Sequence, residues 1–348
     1  MSIVLMTSEP RRNAYAADHE LAGSLNRSGW DVAVQPADGL TLAGAPDLGH
    51  ELARRWRRQP PDAVLAHGWL AGLAAQVAAR DTQIPVLQRF DRLTRDKDDP
   101  GRSRLEAAVG RAAAVVLAAC REDVEQLVAC GIPRRRIRVV PHAIDTAVFS
   151  DEGPAWERTH RRRLVAVDDL TDGSATAALV SALPALPESE LLVMATRPSE
   201  NDPVVEKLIR MARDKRVSDR LRFLDPLSPA ELPRLLRSAD LAVAPGNDSD
   251  IDFVLQAMAC GLPVVAAESG AVADAVADGV TGVLVPPRSP GRLGDAVRSL
   301  LSDALTRETF GLAGTDRARV RFGLEAVAET MSRLLGEVTA DKRVVRAS

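Results

Sequence analysis

The chain has 348 residues, a formal net charge of −3 and 46% hydrophobic residues. That length allows two or more domains of about 150 residues, with cores large enough to fold without disulfides or metal. Acidic and basic residues are balanced, 48 against 45, and only 3% of the residues are aromatic. The charge balance argues against a general nucleic-acid binder, and the scarcity of aromatic side chains argues against a platform that stacks single-stranded bases. We therefore expect no nucleic-acid partner.

Cysteine usage and the first residues bear on the cellular compartment. The three cysteines lie in apolar runs and form no C-x-x-C motif, which is typical of small core residues in a reducing compartment. Residues Met1–Met6 lack the basic start and the long apolar run of a secretory signal. The longest apolar stretches, Ala112–Cys120 and Phe253–Ala267, are shorter than the ~20 residues that cross a bilayer. We expect a cytoplasmic protein without a transmembrane segment.

Short aliphatic runs alternate with longer helical patterns along the whole chain. In the first half they predict strands at Ile3–Met6, Trp30–Gln35, Ala63–Ala66, Pro85–Phe90, Ala114–Ala118 and Ile137–Pro141. In the second half they predict strands at Leu164–Val167, Leu191–Ala195, Leu221–Leu224, Leu241–Ala244, Pro263–Ala267 and Gly282–Val285. Such alternation is typical of parallel sheets covered by helices on both faces. Two runs of strands indicate an α/β protein with two Rossmann-like, doubly wound domains.

A polar stretch marks the boundary between the two domains. Residues 151–163 contain Gly and Pro, show no strand pattern and end in three arginines, which we expect to form a solvated face. The predicted organisation is a first domain over 1–150, a linker over 151–163 and a second domain over 164–316. A C-terminal helix over 317–338 is expected to pack back on the first domain.

Ligands of doubly wound sheets bind at the carboxyl ends of the strands. His67 and Asp91 each follow one of two successive predicted strands, so both are candidates for a site that binds an acceptor. Asp91 is either a base for an acceptor hydroxyl or a partner of Arg89 or Arg92. Neither G-x-G-x-x-G nor G-x-x-x-x-G-K-[ST] occurs. A dinucleotide oxidoreductase and a P-loop enzyme therefore lack their main support.

Several segments resemble the retaining glycosyltransferases of family 4, which have the GT-B fold. They are residues 61–72 (PDAVLAHGWLAG), 85–91 (PVLQRFD), 136–149 (RIRVVPHAIDTAVF), 232–244, 256–266 (QAMACGLPVVA) and 278–287 (DGVTGVLVPP). Together they cover essentially the whole chain in the family's order. The resemblance implies two Rossmann-like domains facing across a cleft. It also implies sugar transfer from a nucleotide-diphosphate donor to an acceptor hydroxyl, with retention at the anomeric carbon and no tightly bound cofactor.

The resemblance implies a set of site residues as well. Asp248 matches the family's position for donor-sugar hydroxyls, and Gln256 matches the position for the nucleotide ribose. The backbone of Gly270, Ala271 and Val272 would lie beneath the donor phosphate. The further candidates on the donor side are Asp169, Ser174, Arg197, Ser249 and Asp250. The candidates on the acceptor side are Arg11, Arg12, Asn13, His67, Trp69, Asp91 and His142. Catalytic roles fall to Asp248, His67 and Asp91.

The chain departs from the family pattern where the donor diphosphate should bind. The family's phosphate-binding Arg and Lys correspond here to Asp169 and Ser174, and its two Glu residues correspond to Asp248 and Gln256. A unit-charge pair at ~4 Å contributes about 4 kcal/mol at an effective dielectric near 20, so reversing one charge would weaken donor binding strongly. Arg197, which follows a predicted strand, would be a replacement cation.

Two alternatives follow from these departures. Asp248-Ser249-Asp250 spells the D-x-D of metal-dependent glycosyltransferases, so Mg²⁺ would bridge the carboxylates and the diphosphate. We weigh this metal site but do not expect it. If no diphosphate binds, the protein would be a catalytically degenerate homologue that acts as a partner or scaffold of an active glycosyltransferase. A sugar-nucleotide epimerase of the same fold would need paired carboxylates and a His, and no specific motif supports it.

Overall fold

The computed structural model describes residues 1–8, 12–37, 39–90, 93–94, 99–168, 170, 174–195, 202–225, 227–246 and 251–347, with side chains except at 12–17, 174 and 341–347. The chain forms two compact units. The first comprises Met1–Ala143 together with Leu324–Ser348, and the second comprises Ile144–Gly323. Each unit contains one six-stranded sheet whose neighbouring strands all run parallel.

Strands and helices alternate along both units. The strands are β1 Ser2–Thr7, β2 Asp31–Pro36, β3 Ala63–His67, β4 Val86–Arg89, β5 Val115–Ala118, β6 Ile137–Val139, β7 Arg162–Asp168, β8 Ser189–Ala195, β9 Leu221–Leu224, β10 Leu241–Ala244, β11 Val264–Ala267 and β12 Gly282–Val285. The helices are α1 Arg12–Arg27, α2 Gly44–Arg58, α3 Trp69–Ala79, α4 Pro100–Ala112, α5 Arg121–Ala129, α6 Ser174–Ala182, α7 Pro203–Asp214, α8 Glu231–Arg237, α9 Ile251–Ala259, α10 Gly270–Ala275, α11 Pro290–Ser302, α12 Ala304–Arg317 and α13 Leu324–Ala347.

The first sheet has the strand order β2-β1-β3-β4-β5-β6. Since successive strand residues point to opposite faces, its buried residues divide between two cores. Leu5, Leu65 and Leu87 pack with α1 and α13 residues on one face. Met6 and Val64 pack with α2 and α3 residues on the other face. The order of chain connections reverses between β1 and β3, which makes the carboxyl ends of these two strands the switch point of this sheet.

The C-terminal helix α13 belongs to the first unit. Its apolar face, which includes Met331 and Leu335, is buried in the same core as α1. Polar contacts fix its position, because Ser24 Oγ donates a hydrogen bond to Glu325 at 2.8 Å and Trp30 Nε1 donates one to Ser332 Oγ at 2.8 Å. Burial of one helical stripe and these hydrogen bonds together explain why the last helix returns to the first sheet.

The second sheet has the strand order β12-β11-β10-β7-β8-β9. Numbered within the unit, this is the order of dinucleotide-binding Rossmann sheets, and its switch point lies between β7 and β10. Central strands such as Leu241–Ala244 and Val264–Ala267 are buried along their whole length. Sheets covered on both faces need such continuous apolar strands, which is why the aliphatic runs of the sequence were sufficient to locate them. The two sheets confirm the predicted class of two Rossmann-like, doubly wound domains.

One expectation about the polar stretch before the second sheet is wrong. Its last arginine, Arg163, lies inside β7 and its side chain is only 1% exposed. The guanidinium pairs with the equally buried Glu190 at 2.7 Å and donates to Ser238 Oγ at 2.6 Å. A buried arginine requires such hydrogen-bond acceptors. The acceptors come from β8 and from the end of α8, which are distant in the chain, so the sequence around Arg163 does not predict them.

Within the described residues, no helix has both the length and the apolar character that a bilayer crossing requires.

All twelve predicted strands overlap the observed ones, with boundaries that differ by at most two residues.

Candidate active site

Three residues end adjacent strands at the carboxyl edge of the first sheet. Thr7 ends β1, His67 ends β3 and Arg89 ends β4. The strand register pairs Thr7 with His67 and His67 with Arg89. The three residues therefore form a row across the switch point, with side chains on the sheet face that α1 covers. This places the predicted acceptor-side histidine where doubly wound sheets bind ligands.

His67 is held by a carboxylate that the sequence motifs do not single out. Its Nδ1 lies 2.8 Å from Oδ2 of Asp18 on α1, and the two side chains are 7% and 9% exposed. A carboxylate oxygen accepts, so Nδ1 is the donor in this pair, and in the neutral ring Nε2 is then the atom with the lone pair. The pair therefore sets the orientation and the tautomer of the imidazole. An Asp–His pair of this kind prepares the ring to accept a hydrogen bond from a hydroxyl.

A helical pattern in the sequence contained the signal for Asp18. It precedes Leu21, Ala22 and Leu25 at helical spacing, and all three of these residues are buried against the sheet. A carboxylate on the buried stripe of a helix needs a partner, because an unpaired buried charge is costly. The residue types alone offer no means of pairing it with His67, which lies 49 positions away.

The turn after His67 is fixed by backbone geometry and by a buried amide. Gly68 has φ +89°, a conformation that other residues adopt only with strain. Gln88 is fully buried and donates from Nε2 to the carbonyls of Gly68 at 3.0 Å and of Arg89 at 2.7 Å. The same Arg89 carbonyl accepts from the Gly68 amide at 3.0 Å. These bonds tie the ends of β3 and β4 together behind the histidine.

Trp69 begins α3 directly after this turn and is partly buried. The Arg102 guanidinium lies 5.6 Å from the centre of its ring, within the range of a cation–π interaction. Arg102 Nε also donates to the buried Glu106 at 2.7 Å, and the same carboxylate accepts from the Thr94 amide at 2.7 Å. Through this network α4 fixes the indole beside the turn. The predicted acceptor-side residue Trp69 thus has a defined position near His67 along the chain.

In the second unit, the switch point is bordered by Asp168 at the end of β7. Its Oδ1 accepts from the Leu170 amide at 3.0 Å, and its Oδ2 accepts from the Thr176 hydroxyl. Leu170 has φ +57°, so the chain turns sharply there although the residue is not glycine. Both oxygens of Asp168 are therefore engaged, one by the Leu170 amide and the other by Thr176 of α6. The aspartate thus links the end of β7 to α6.

The remaining described donor-side candidates lie on the elements that follow β10 and β11. Gln256 lies on α9 and is partly buried. Gly270 is the first residue of α10, has φ +49°, and follows the end of β11 by three positions. Val272 is 2% exposed and its side chain belongs to the core, so only its backbone is suited to a ligand. On the acceptor side, His142 follows β6 and is partly buried.

Two family models match the chain. Residues 33–148 match the description "Glycosyltransferase Family 4", and residues 161–303 match "Glycosyl transferases group 1". A D-inositol 3-phosphate glycosyltransferase of Xylanimonas cellulosilytica is 32% identical over 304 residues, which cover 80% of this chain and 72% of that protein. The chain belongs to the family-4 glycosyltransferases. Membership of this family implies the general class of reaction, transfer of a glycosyl group.

Solved structures support the fold of this glycosyltransferase. Sucrose-phosphate synthase of Thermosynechococcus elongatus matches with a TM-score of 0.79 and 19% identity, over 98% of this chain and all of that one. Anabaena Alr3699/HepE, solved in complex with UDP, matches with a TM-score of 0.81 and 15% identity, over 97% of this chain and all of that one. At such identities the likeness concerns the fold, and it confirms the predicted GT-B class.

Several predicted site residues of this glycosyltransferase, on both the donor and the acceptor side, lie outside the described residues. This applies to Arg11, Asp91, Asp169, Arg197, Asp248, Ser249 and Asp250. Arg12, Asn13 and Ser174 are placed by their backbone within α1 and α6. Among the described side chains, no three His, Cys, Asp or Glu residues are grouped as a metal site would require. The roles of these residues, and the metal site at Asp248 and Asp250, stay predictions.

Two of the three cysteines, Cys130 and Cys260, are unsuited to nucleophilic chemistry. Burial raises the pKa of the Cys260 thiol to about 12. Burial, together with the nearby Glu106 carboxylate, also raises the pKa of Cys130 above its usual value of 9.0. The thiolate is the reactive form of cysteine, and neither residue forms it near neutral pH. A covalent mechanism through either of these thiols is therefore disfavoured.

Proposed function

We propose that this glycosyltransferase moves a sugar from a nucleotide-diphosphate donor to a hydroxyl of a phosphorylated cyclitol, with retention at the anomeric carbon. The relatives named D-inositol 3-phosphate glycosyltransferase support the acceptor class. The complex of Anabaena Alr3699/HepE with UDP supports the donor class. The observation that carries the proposal is the buried His67–Asp18 pair at the switch point of the first sheet.

On the acceptor side, His67 would accept a hydrogen bond from the reacting hydroxyl through Nε2. Asp18 holds the ring in one orientation, which would lower the entropic part of the barrier. The new bond joins the acceptor oxygen to the anomeric carbon, and the bond from that carbon to the donor diphosphate breaks. Nε2 of His67 would take the acceptor proton as the new bond forms, and the diphosphate would leave with the electron pair of the broken bond. The thiols of Cys130 and Cys260 take no part in the transfer.

On the donor side, Asp248 would hold sugar hydroxyls and Gln256 the ribose, as both types of side chain accept hydrogen bonds from hydroxyl groups. The backbone at Gly270, Ala271 and Val272 would approach the diphosphate. Asp169 stands where the family has a cation, so we expect weak donor binding compared with relatives that keep the Arg and Lys. Either Arg197 or a Mg²⁺ ion held by Asp248 and Asp250 would compensate for the missing charge.

The test is a transfer assay with purified full-length protein. UDP-, GDP- and ADP-linked sugars are each incubated with D-inositol 3-phosphate, once with Mg²⁺ and once with EDTA. Release of nucleoside diphosphate gives the rate, and the anomeric coupling constant of the product in NMR gives the stereochemistry. We expect one nucleotide class to react, with product of the donor's anomeric configuration. An inverted product would refute retention.

A variant pair links the activity to the site. His67→Gln removes the ring, and we expect kcat to fall about 100-fold or more, since general acid–base catalysis contributes at least about that factor. His50→Gln, at an exposed position of α2, makes the same chemical change elsewhere and should leave the rate unaltered. If no donor binds or reacts under either metal condition, the protein is better described as a non-catalytic partner of another glycosyltransferase.

A further inference from the structure

Arg89 occupies a position beside the buried pair. It is the last residue of β4 and is in register with His67 of β3. Leu87 and Leu65, each two residues earlier in these strands, lie in the core that α1 covers. Because strand residues two apart share a face, Arg89 and His67 emerge on the same side of the sheet at its carboxyl edge. One strand spacing, about 4.8 Å, separates their backbones.

The backbone of Arg89 is rigidly held. Its carbonyl accepts two hydrogen bonds, from the Gly68 amide at 3.0 Å and from Gln88 Nε2 at 2.7 Å. Gln88 itself is fully buried against α3, where a Cβ added to Gly72 would overlap its Oε1. Because the backbone of Arg89 is already ordered, less entropy is lost when its side chain binds a ligand.

The guanidinium of Arg89 has no protein partner among the residues that the structure describes. Its side chain is partly buried, yet it forms no hydrogen bond or ion pair with the described residues, whereas Arg102 of the same unit pairs with Glu106 at 2.7 Å. Removing a cation from water without an acceptor is unfavourable. Such a position is explained when an anionic ligand supplies the missing acceptor.

We propose that Arg89 binds the phosphate of the acceptor and thereby selects phosphorylated over neutral acceptors. This inference rests on the proposed function, which places the acceptor hydroxyl at His67. Arginine presents a planar fork of donors that matches two oxygens of a phosphate, and it keeps its charge at every physiological pH. A cyclitol phosphate that bridges the two residues has its hydroxyl on the histidine and its anionic group on the arginine.

The experiment compares two acceptors with wild type, two variants of Arg89 and one control variant. Wild type, Arg89→Gln and Arg89→Lys are assayed with D-inositol 3-phosphate and with myo-inositol. Arg54→Gln, at an exposed position on α2, is the matched control for loss of one positive charge. The ratio of kcat/KM for the two acceptors is the readout. In Arg89→Gln we expect that ratio to fall about 10- to 100-fold, the range of a lost charge-assisted hydrogen bond, with partial recovery in Arg89→Lys.

Calorimetric binding of D-inositol 3-phosphate and myo-inositol separates this inference from the proposed function. If wild type prefers the phosphorylated compound and Arg89→Gln loses that preference, the anion site stands even when no sugar is transferred. If Arg89→Gln lowers kcat/KM for both acceptors by the same factor, or binds both compounds as wild type does, the inference is overturned. Wild type without any preference for the phosphorylated compound overturns it as well. The thermal unfolding midpoint of Arg89→Gln should match that of wild type, since the guanidinium has no described partner.

Discussion

Replacing Asp18 by Asn tests whether the carboxylate controls the chemistry of His67. Asn keeps the size of the side chain and can still accept a hydrogen bond, but it loses the charge, and its NH₂ group can donate to Nδ1 instead. In that arrangement the ring proton moves to Nε2, so the nitrogen that should receive the acceptor hydroxyl becomes a donor. We therefore expect Asp18→Asn to lower kcat with D-inositol 3-phosphate far more than it lowers stability.

The structure sets the size of the two effects. The Nδ1–Oδ2 contact is 2.8 Å long and both side chains are less than a tenth exposed. A hydrogen bond to a charged group contributes about 1.5–3 kcal/mol, and a neutral one about 1 kcal/mol, so the free energy of unfolding should fall by ~0.5–2 kcal/mol. Asp18→Ala leaves Nδ1 buried without a partner and should be less stable again, by about 1 kcal/mol or more. Rate losses of tenfold or greater in both variants would exceed what partial unfolding explains.

Two measurements decide the matter. The pH profile of kcat/KM reports the titration of the free protein, and ¹⁵N NMR of the imidazole reports which ring nitrogen carries the proton. Asp81→Asn, on an exposed turn of the same unit, is the control for loss of one negative charge. If both Asp18 variants kept kcat/KM and its pH profile within twofold of wild type while the NMR tautomer changed, the proposed role of the pair would be refuted.

Three further predictions concern stability in the first unit. Thr7→Val should raise the free energy of unfolding by about 1 kcal/mol in chemical denaturation. The Thr7 hydroxyl is fully buried without a described partner, and Val has nearly the same shape without the polar group. Lower stability of the variant would show that the hydroxyl has a hydrogen-bond partner in the folded protein. Gly72→Ala should lower the free energy of unfolding by ~1–3 kcal/mol, since the new Cβ would overlap Gln88 Oε1. Gly39→Ala is the control for backbone strain, because Gly39 has a positive φ and no described atom lies within 4 Å of the new Cβ. Hydrogen bonds from Arg27 and Ser24 lower the pKa of Glu325 in the folded protein below its ordinary value of 4.5. The ionised carboxylate therefore stabilises the fold above pH 4.5, and this stabilisation is lost as the pH falls through the folded-state pKa. Glu325→Gln should accordingly be less stable than wild type above pH 4.5, and the difference should disappear in acid. A loss that persists at acid pH would contradict this assignment.

The sequence was informative about the sheets because their strands are buried on both faces. Runs such as Val64–Ala66 or Leu241–Ala244 are apolar at every position, and a run of this kind between helical patterns is compatible with few other structures. The position of His67 followed from the same logic, since strand ends in a doubly wound fold are ligand positions. Family motifs then predicted the donor side by matching residues to the family's positions, and that part stays a prediction.

The polar interactions were beyond the sequence because they join residues that are far apart in the chain. Asp18 meets His67 across 49 positions, and Arg163 meets Glu190 across 27. Nothing in the local pattern of either residue distinguishes a buried ion pair from a solvated charge, and the arginine was in fact expected on a solvated face. The sequence indicates Arg89 only as a partner for Asp91, because its lack of described partners is a property of the folded chain.

Energetics favour a functional reason for the His67–Asp18 pair. Burying two polar side chains at a strand end contributes less to stability than well-packed apolar residues of similar size would, because desolvation offsets much of the attraction. The neighbouring positions Leu65 and Leu87 show that this face readily accepts aliphatic residues. A protein that kept the fold only as a scaffold would gain from the same choice at position 67. The buried pair is therefore an observation that favours the proposed transfer over a scaffold role.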